Sequence, residues 1–321
     1  MASRQPPSEG VRPVIDRRTI VKGLVAVAAS GASLGAYAFG IEPRFRLTVT
    51  RYGITPERWP AGLHVRLAVV ADIHAGEPYM PPARIAEIVD RTNTLGADAI
   101  LLLGDFAASH RWQTRRVSPR EWATVLAGLR APLGVHAVLG NHDWWDDRDA
   151  QRRGRGPVLG RMELERVGIP VYENDAVRLV KGSHAFWLAG LGDQLSFWLG
   201  RRGQFRGVDD LPGTLARITD QAPVVLMAHE PDIFPEVPRR VALTISGHTH
   251  GGQVRIAGWS PVVPSSFGNR YAYGHIVEDG RHLVVSGGLG CSKLPVRFGV
   301  PPEIVLIELG GPAGSQGLTP A

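Results

Sequence analysis

Eight side chains stand where apolar runs of this 321-residue chain give way to polar turns, and all eight belong to types that bind divalent metals or move protons. Asp72 and His74 end "HVRLAVVADIHAG" (64–76), Asp105 ends "DAILLLGD" (98–105), and Asn141 and His142 end "GVHAVLGNHD" (134–143). His229 ends "APVVLMAHEPD" (222–232), and His248 and His250 end "VALTISGHTHGG" (241–252). Carboxylate, amide and imidazole donors without thiolate suit borderline or hard divalent ions such as Mn²⁺, Fe²⁺ or Zn²⁺. One such turn is weak: an Asp-x-His can cap a turn and a Gly-Asp can start a helix. Five of them at strand ends are expected to converge, because open α/β sheets bind ligands at the carboxyl ends of their strands. Residues two apart on a strand project to the same side, so Asp72 with His74 and His248 with His250 each offer a ligand pair. Glycines before Asp105, Asn141 and His248 let the backbone turn sharply beside the ions.

The elements that must position these turns alternate from about residue 46. "PPARIAEIVDRTNTLG" (81–96) has Pro at its start and Gly at its end and reads as a helix. "SPREWATVLAGLR" (118–130) reads as another, with Ser118 as N-cap. The second half is richer in strands: 171–180, 185–193, 281–290 and 303–310, with a helix over 211–220. The pattern by itself predicts α/β with an antiparallel second half. Two charged segments, 144–156 and 197–210, read as solvated loops, with a substrate-facing rim as the minority reading. Trp144 and Trp145 are candidates for walls of the pocket, and Asp143 and Asp193 for orienting the histidines. His64, His110, His136, His184, His275 and His282 have no partner motif and read as surface or core residues. Cys291, the single cysteine, reads as a small core residue.

The ordered set D-x-H, GD, GNH, H and GHTH resembles the calcineurin-like metallophosphoesterase superfamily, over about residues 66–308. "GHTHGGQ" and "GLGCSKLPVRFGVPPEI" (288–304) further resemble a bacterial branch of exported or membrane-associated phosphodiesterases. The resemblance implies a four-layer α/β/β/α sandwich over residues 41–310. It also implies two divalent ions, Mn²⁺ foremost with iron or zinc as alternatives. Asp72, His74 and His250 would hold the first ion, Asn141, His229 and His248 the second, and Asp105 both. His142 would bind the phosphate and protonate the leaving oxygen. A hydroxide held between two such ions can attack phosphorus in line with the leaving group. The implied activity is phosphodiester hydrolysis outside the cytoplasm, on a substrate such as a phospholipid or nucleotide. Alternatives are a UDP-2,3-diacylglucosamine-type lipid pyrophosphatase, a phosphomonoesterase and, in a different class, a non-catalytic binding scaffold.

Residues 1–40 read as a leader or anchor. "DRRTIVK" (16–22) precedes the apolar "GLVAVAASGASLGAYAFG" (23–40), and Ala36-Tyr37-Ala38 has the small-x-small form of a cleavage site. The Arg17-Arg18 pair resembles a twin-arginine signal, although Asp16 and Ile20-Val21 depart from its usual pattern, and it implies contact with that export machinery. A cleaved signal is favoured over an uncleaved anchor, which would bring membrane contact; either places the body in the periplasm or cell envelope. The net charge of +6 gives little support to nucleic-acid binding, because half of it lies in residues 1–40. The Gly/Pro/Ser-rich end, 311–321, reads as a flexible tail.

Overall fold

The computed structural model describes residues 17–108, 110–200 and 203–311; Asp16, Arg201, Arg202 and the tail from residue 312 lie outside the described residues. In chain order the strands that matter are β1 (Thr48–Ile54), β2 (Val65–Val70), β3 (Ala99–Leu102), β4 (Val135–Ala137), β5 (Asp175–Lys181) and β6 (His184–Gly190). They continue with β7 (Val224–Met227), β8 (Val241–Ser246), β9 (Gly274–Glu278), β10 (Arg281–Val285) and β11 (Glu303–Leu309). The longer helices are α1 (Arg17–Ala36), α2 (Pro82–Asn93), α3 (Pro119–Leu126), α4 (Asn141–Trp145), α5 (Arg148–Arg153), α6 (Leu159–Arg166) and α7 (Leu211–Ala216), and a single helical turn, Glu42–Phe45, follows α1.

Two large sheets form, ordered β1-β11-β2-β3-β4 and β9-β10-β8-β7-β6-β5, beside two short two-stranded pairings. In the first, β2, β3 and β4 are parallel and β11 runs antiparallel to β2. In the second, β6, β7, β8 and β10 are parallel, with β5 and β9 as antiparallel edges. Strands such as "VRLAVV" and "VALTIS" are apolar at nearly every position because both faces are covered. Val65, Leu67, Val69 and Leu101 of one sheet meet Leu188, Val225, Leu243 and Val284 of the other in a layer between them. The opposite faces pack on α2, α3 and α6 on one side and on α7 and the 231–236 turn on the other. The result is the four-layer α/β/β/α sandwich expected from the resemblance.

Ser118 caps α3 as expected, its hydroxyl accepting from Glu121 N while the Glu121 carboxylate accepts from Ser118 N. The segment 144–156 is not a solvated loop. It folds into α4 and α5, because Trp144, fully buried against Phe197, and Ala150 supply a core face that its charges concealed. The described part of 197–210 carries a short hairpin that pairs Phe197–Trp198 with Phe205–Arg206.

Candidate metal centre

The parallel strands of both sheets run out toward one cleft, and each leaves its polar turn there. Asp72 and His74 follow β2, Asp105 follows β3, Asn141 and His142 open α4 after β4, His229 follows β7, and His248 and His250 follow β8. All eight are brought together. The paired ligands are not aimed by strand pleat as spacing two suggested: both strands end before them, at Val70 and Ser246. Asp72, His74, Asp105, His248 and His250 instead lie at positive φ, between 47° and 67°. Such conformations cost a non-glycine residue about 1–3 kcal/mol and persist where the surroundings enforce them. Here the enforcement is backbone pairing between turns: Asp72 N to Gly104 O (3.1 Å), His74 N to Asp105 O (2.9 Å) and Gly290 N to Asp72 O (2.7 Å). Glycine is required where these turns meet. A Cβ on Gly140 would lie 2.4 Å from Asp105 Oδ1 and 2.5 Å from the His229 ring.

Two ligand sets share one carboxylate. Coordinating atoms of Asp72, His74, Asp105 and His250 lie within 4.8 Å of one another, as do those of Asp105, His229 and His248. His74 Nδ1 donates to the Ala107 carbonyl (2.8 Å), which leaves Nε2 bare and 3.0 Å from Nε2 of His250. The same Nε2 is 3.5 Å from Asp105 Oδ2. His229 Nδ1 donates to the Leu103 carbonyl, so its Nε2, lacking a hydrogen-bond partner, faces Asp105 Oδ2 at 3.4 Å. His248 turns Nδ1 toward Asn141 Oδ1 at 2.9 Å. Asp72 Oδ2 is buried with no partner. Lone pairs directed at lone pairs in a dry site ask for cations between them. Spacings of 3.0–3.7 Å fit that requirement, since neighbouring ligands about 2.1 Å from one ion stand roughly 3.0–3.5 Å apart. The residues present therefore fit two divalent ions.

Protonation tells the same story. Burial pushes the Asp72 carboxyl up to about 7. Burial acts on Asp105 in the same sense, but His229, His142 and His74 around it hold its carboxyl well below the usual range. Burial lowers His74, His142 (to about 4), His248 (to about 3) and His250, so these rings are neutral at pH 7, the form that metals bind. His229 goes the other way: burial opposes its charge, yet Asp105 raises it well above its ordinary value. A divalent ion held beside Asp105 would take over the role of that proton.

Backbone carbonyls orient His74 and His229, a task the sequence reading gave to Asp143 and Asp193. Asp143 accepts instead from the N–H groups of Asp105, Phe106 and Gly140, all at 2.9 Å, and so ties the turn after β3 to the turn after β4. Asp193 binds Ser196 and Leu195 N. Trp144 and Trp145 divide: Trp144 is core, whereas Trp145 lines the cleft, edge-on to His142 and stacked on Phe205. Arg297 was missed altogether. It is fully buried, donates to the carbonyls of Gly287, Gly290 and Val300, and stands 3.2 Å from His250 Nδ1. An arginine inside the apolar run "LPVRFGVP" was the available signal.

The cleft has a volume of about 730 Å³, with Asp105, Asn141, His142, His248 and His250 at its floor. Its walls are largely apolar. Trp145, Leu195, Phe205, Val262, Leu294 and Val296 are among the residues that line it.

Comparison with known proteins bears on this geometry. The sequence profile described as calcineurin-like phosphoesterase matches residues 65–252. An uncharacterised metallophosphoesterase of Bacillus subtilis, YkuE, is 28% identical over 92% of this chain and 98% of its own. The phosphodiesterase YaeI of Escherichia coli is 27% identical over 92% of this chain and 100% of its own. The UDP-2,3-diacylglucosamine pyrophosphatase LpxG of Chlamydia trachomatis is 25% identical over 90% of this chain and 97% of its own.

Proposed function

This chain belongs to the calcineurin-like phosphoesterase family, and from that premise we propose that it is a two-metal phosphodiesterase working outside the cytoplasm. The observation that carries the reading is Asp105, one buried carboxylate shared by two ligand sets on the floor of an open cleft. Asp72, His74 and His250 would hold one ion with it, and Asn141, His229 and His248 the other. Mn²⁺ is the first candidate for such an oxygen and imidazole set, with iron or zinc next. When bound, the pair supplies an activated water and positive charge for the phosphoryl oxygens.

The chain's own residues do the rest. The Asp105 carboxylate sets where the two ion sites meet. His142, held by donation of its backbone N–H to Asp105 Oδ1 (2.8 Å), presents its ring to the cleft beside Trp145. Burial keeps that ring neutral, and the negative charge of a bound phosphoester opposes this, so substrate itself favours the imidazolium that protonates the leaving oxygen. The preference for a diester rests on the walls. Among the described residues lining the cleft, Lys293 is the one cation, beside Glu230 and Asp232. That suits the single charge of a diester better than the double charge of a monoester, and a largely apolar cleft of about 730 Å³ gives room for two ester groups.

The location rests on the uncharged helical run from Gly23 to Ile41, about 28 Å long at 1.5 Å per residue and close to the thickness of a bilayer core. Arg17, Arg18 and Lys22 mark its cytoplasmic end whether it serves as signal or anchor, and the paired arginines suit twin-arginine export.

Hydrolysis of bis(4-nitrophenyl) phosphate against 4-nitrophenyl phosphate by the Mn²⁺-loaded protein tests the reading. The diester is expected to have at least a tenfold higher kcat/KM. Monoester preference would make the protein a phosphatase, and no turnover of either would leave the scaffold reading standing.

A further inference from the structure

The mouth of the cleft is built from three pieces of chain that are fastened to one another. The first is the foot of α1, residues 37–45. The Tyr37 ring meets Phe298 edge-on at 6.3 Å, Arg297 N donates to the Ala38 carbonyl (2.9 Å), and Val300 N donates to Glu42 Oε1 (3.0 Å). The second piece, residues 291–300, carries Leu294 and Val296 of the cleft wall. The third, residues 252–264, carries Val262 and is joined to the second by Arg255 N to Phe298 O and Phe298 N to Gln253 O, both 2.8 Å. Whatever α1 is inserted in therefore lies next to the mouth of the cleft.

That mouth exposes an apolar rim. Val262 is 70% exposed, Ile256 60%, Trp259 59% and Leu294 49%, and at the foot of α1 Phe39, Ile41 and Phe45 are exposed as well. Removing such side chains from water is worth about 1.5–3 kcal/mol each, so this many exposed on three joined pieces of chain mark a contact surface. Its occupant is indicated by α1. From Gly23 to Ile41 no residue is charged, no residue of α1 is buried, and Arg17, Arg18 and Lys22 gather at the far end. A segment of that kind inserts in lipid and brings the rim down to the bilayer surface, where Trp259 suits the interface.

We propose that α1 is retained as an anchor, that the cleft mouth it seats on the bilayer is a lipid-facing surface, and that the largely apolar cleft behind it receives the hydrocarbon part of a membrane-borne phosphoester. The proposal rests on the phosphodiesterase reading above and specifies its substrate as amphiphilic.

Two measurements on the full chain test it. In the first, a reporter is placed on the rim by Trp259→Cys and labelling with an environment-sensitive fluorophore; the native Cys291 is buried and stays unlabelled. The protein is reconstituted in vesicles of phosphatidylethanolamine and phosphatidylglycerol, with plain or brominated acyl chains. Brominated chains are expected to quench at least half of the emission. A reporter open to aqueous iodide and unquenched by bromine would overturn the seating. One shielded from iodide yet unquenched by bromine would put a second copy on the rim and overturn it equally. In the second, the Mn²⁺-loaded chain in detergent micelles is given methyl and hexadecyl 4-nitrophenyl phosphate, which share one reacting bond. The hexadecyl ester is expected to have at least a tenfold higher kcat/KM, with the ratio collapsing toward one in Leu294→Asp and Val262→Asp, exposed positions that tolerate charge. Equal turnover of both esters would remove the amphiphile and leave phosphodiester hydrolysis intact. Hydrolysis of neither would remove the underlying reading, and this one with it.

Discussion

Asp105 and His142 lie side by side in the cleft and have opposite tasks, which makes them separable. Asp105 is 1% exposed, with His74 and His229 near Oδ2 and the His142 N–H on Oδ1. Both ligand sets need its charge to gather imidazoles that repel cations once protonated. Asp105→Ala is therefore expected to lose both ions, seen as metal content by mass spectrometry near zero, with turnover at background. His142 belongs to neither ligand set, so His142→Ala should keep both ions while kcat falls about 10²–10⁴-fold, the usual worth of a positioned general acid. A full metal complement in the Asp105 variant would end the sharing assigned to it. An unchanged kcat in the His142 variant would end its role as acid.

At the scale of elements, the sequence identified the place and misjudged the cause. The eight side chains stand out because chemically loaded residues at the ends of apolar runs are readable one run at a time. The left-handed turns that aim five of them are not, since they are enforced by pairing between turns far apart in sequence, such as Asp72 with Gly104 and Gly290. For the same reason the helices within 144–156 were hidden: Trp144 is decided by Phe197, about fifty residues on. Asp143 was seen, but its work was assigned to histidines when it holds backbone. Removing its carboxylate strands three buried N–H groups, each costing about 1–3 kcal/mol without an acceptor. Asp143→Ala should thus destabilise the metal-free protein by at least about 3 kcal/mol in urea denaturation, with Asp143→Asn recovering part through its remaining oxygen. A loss seen only in the metal-loaded form would show that Asp143 serves the ions directly.

For the molecule as a whole, the question is where the leader stops and the body begins. Length and composition draw the line near residue 40, because hydropathy changes there. The contacts begin earlier: Ala38 is buried and accepts from Arg297 N, and Glu42, 2% exposed, caps Val300 N. Arg297 itself reaches back to His250, so the foot of α1, the cleft loop and a ligand of the proposed centre form one connected unit. A chain beginning at Tyr37 retains that unit and should melt with the full-length protein. A chain beginning at Arg46 forfeits both bonds and the burial of Ala38 and Pro43. At about 1 kcal/mol per bond, and about 2–4 °C per kcal/mol for a body of this size, it should melt roughly 4–8 °C lower. Its KM for bis(4-nitrophenyl) phosphate should rise as the 291–300 wall loosens, while its metal content holds, because the foot reaches the ligands only through Arg297, whose guanidinium stays held by the carbonyls of Gly287, Gly290 and Val300. Identical melting of the two truncations would place residues 37–45 with the leader, and then α1 could not fix the orientation of the cleft.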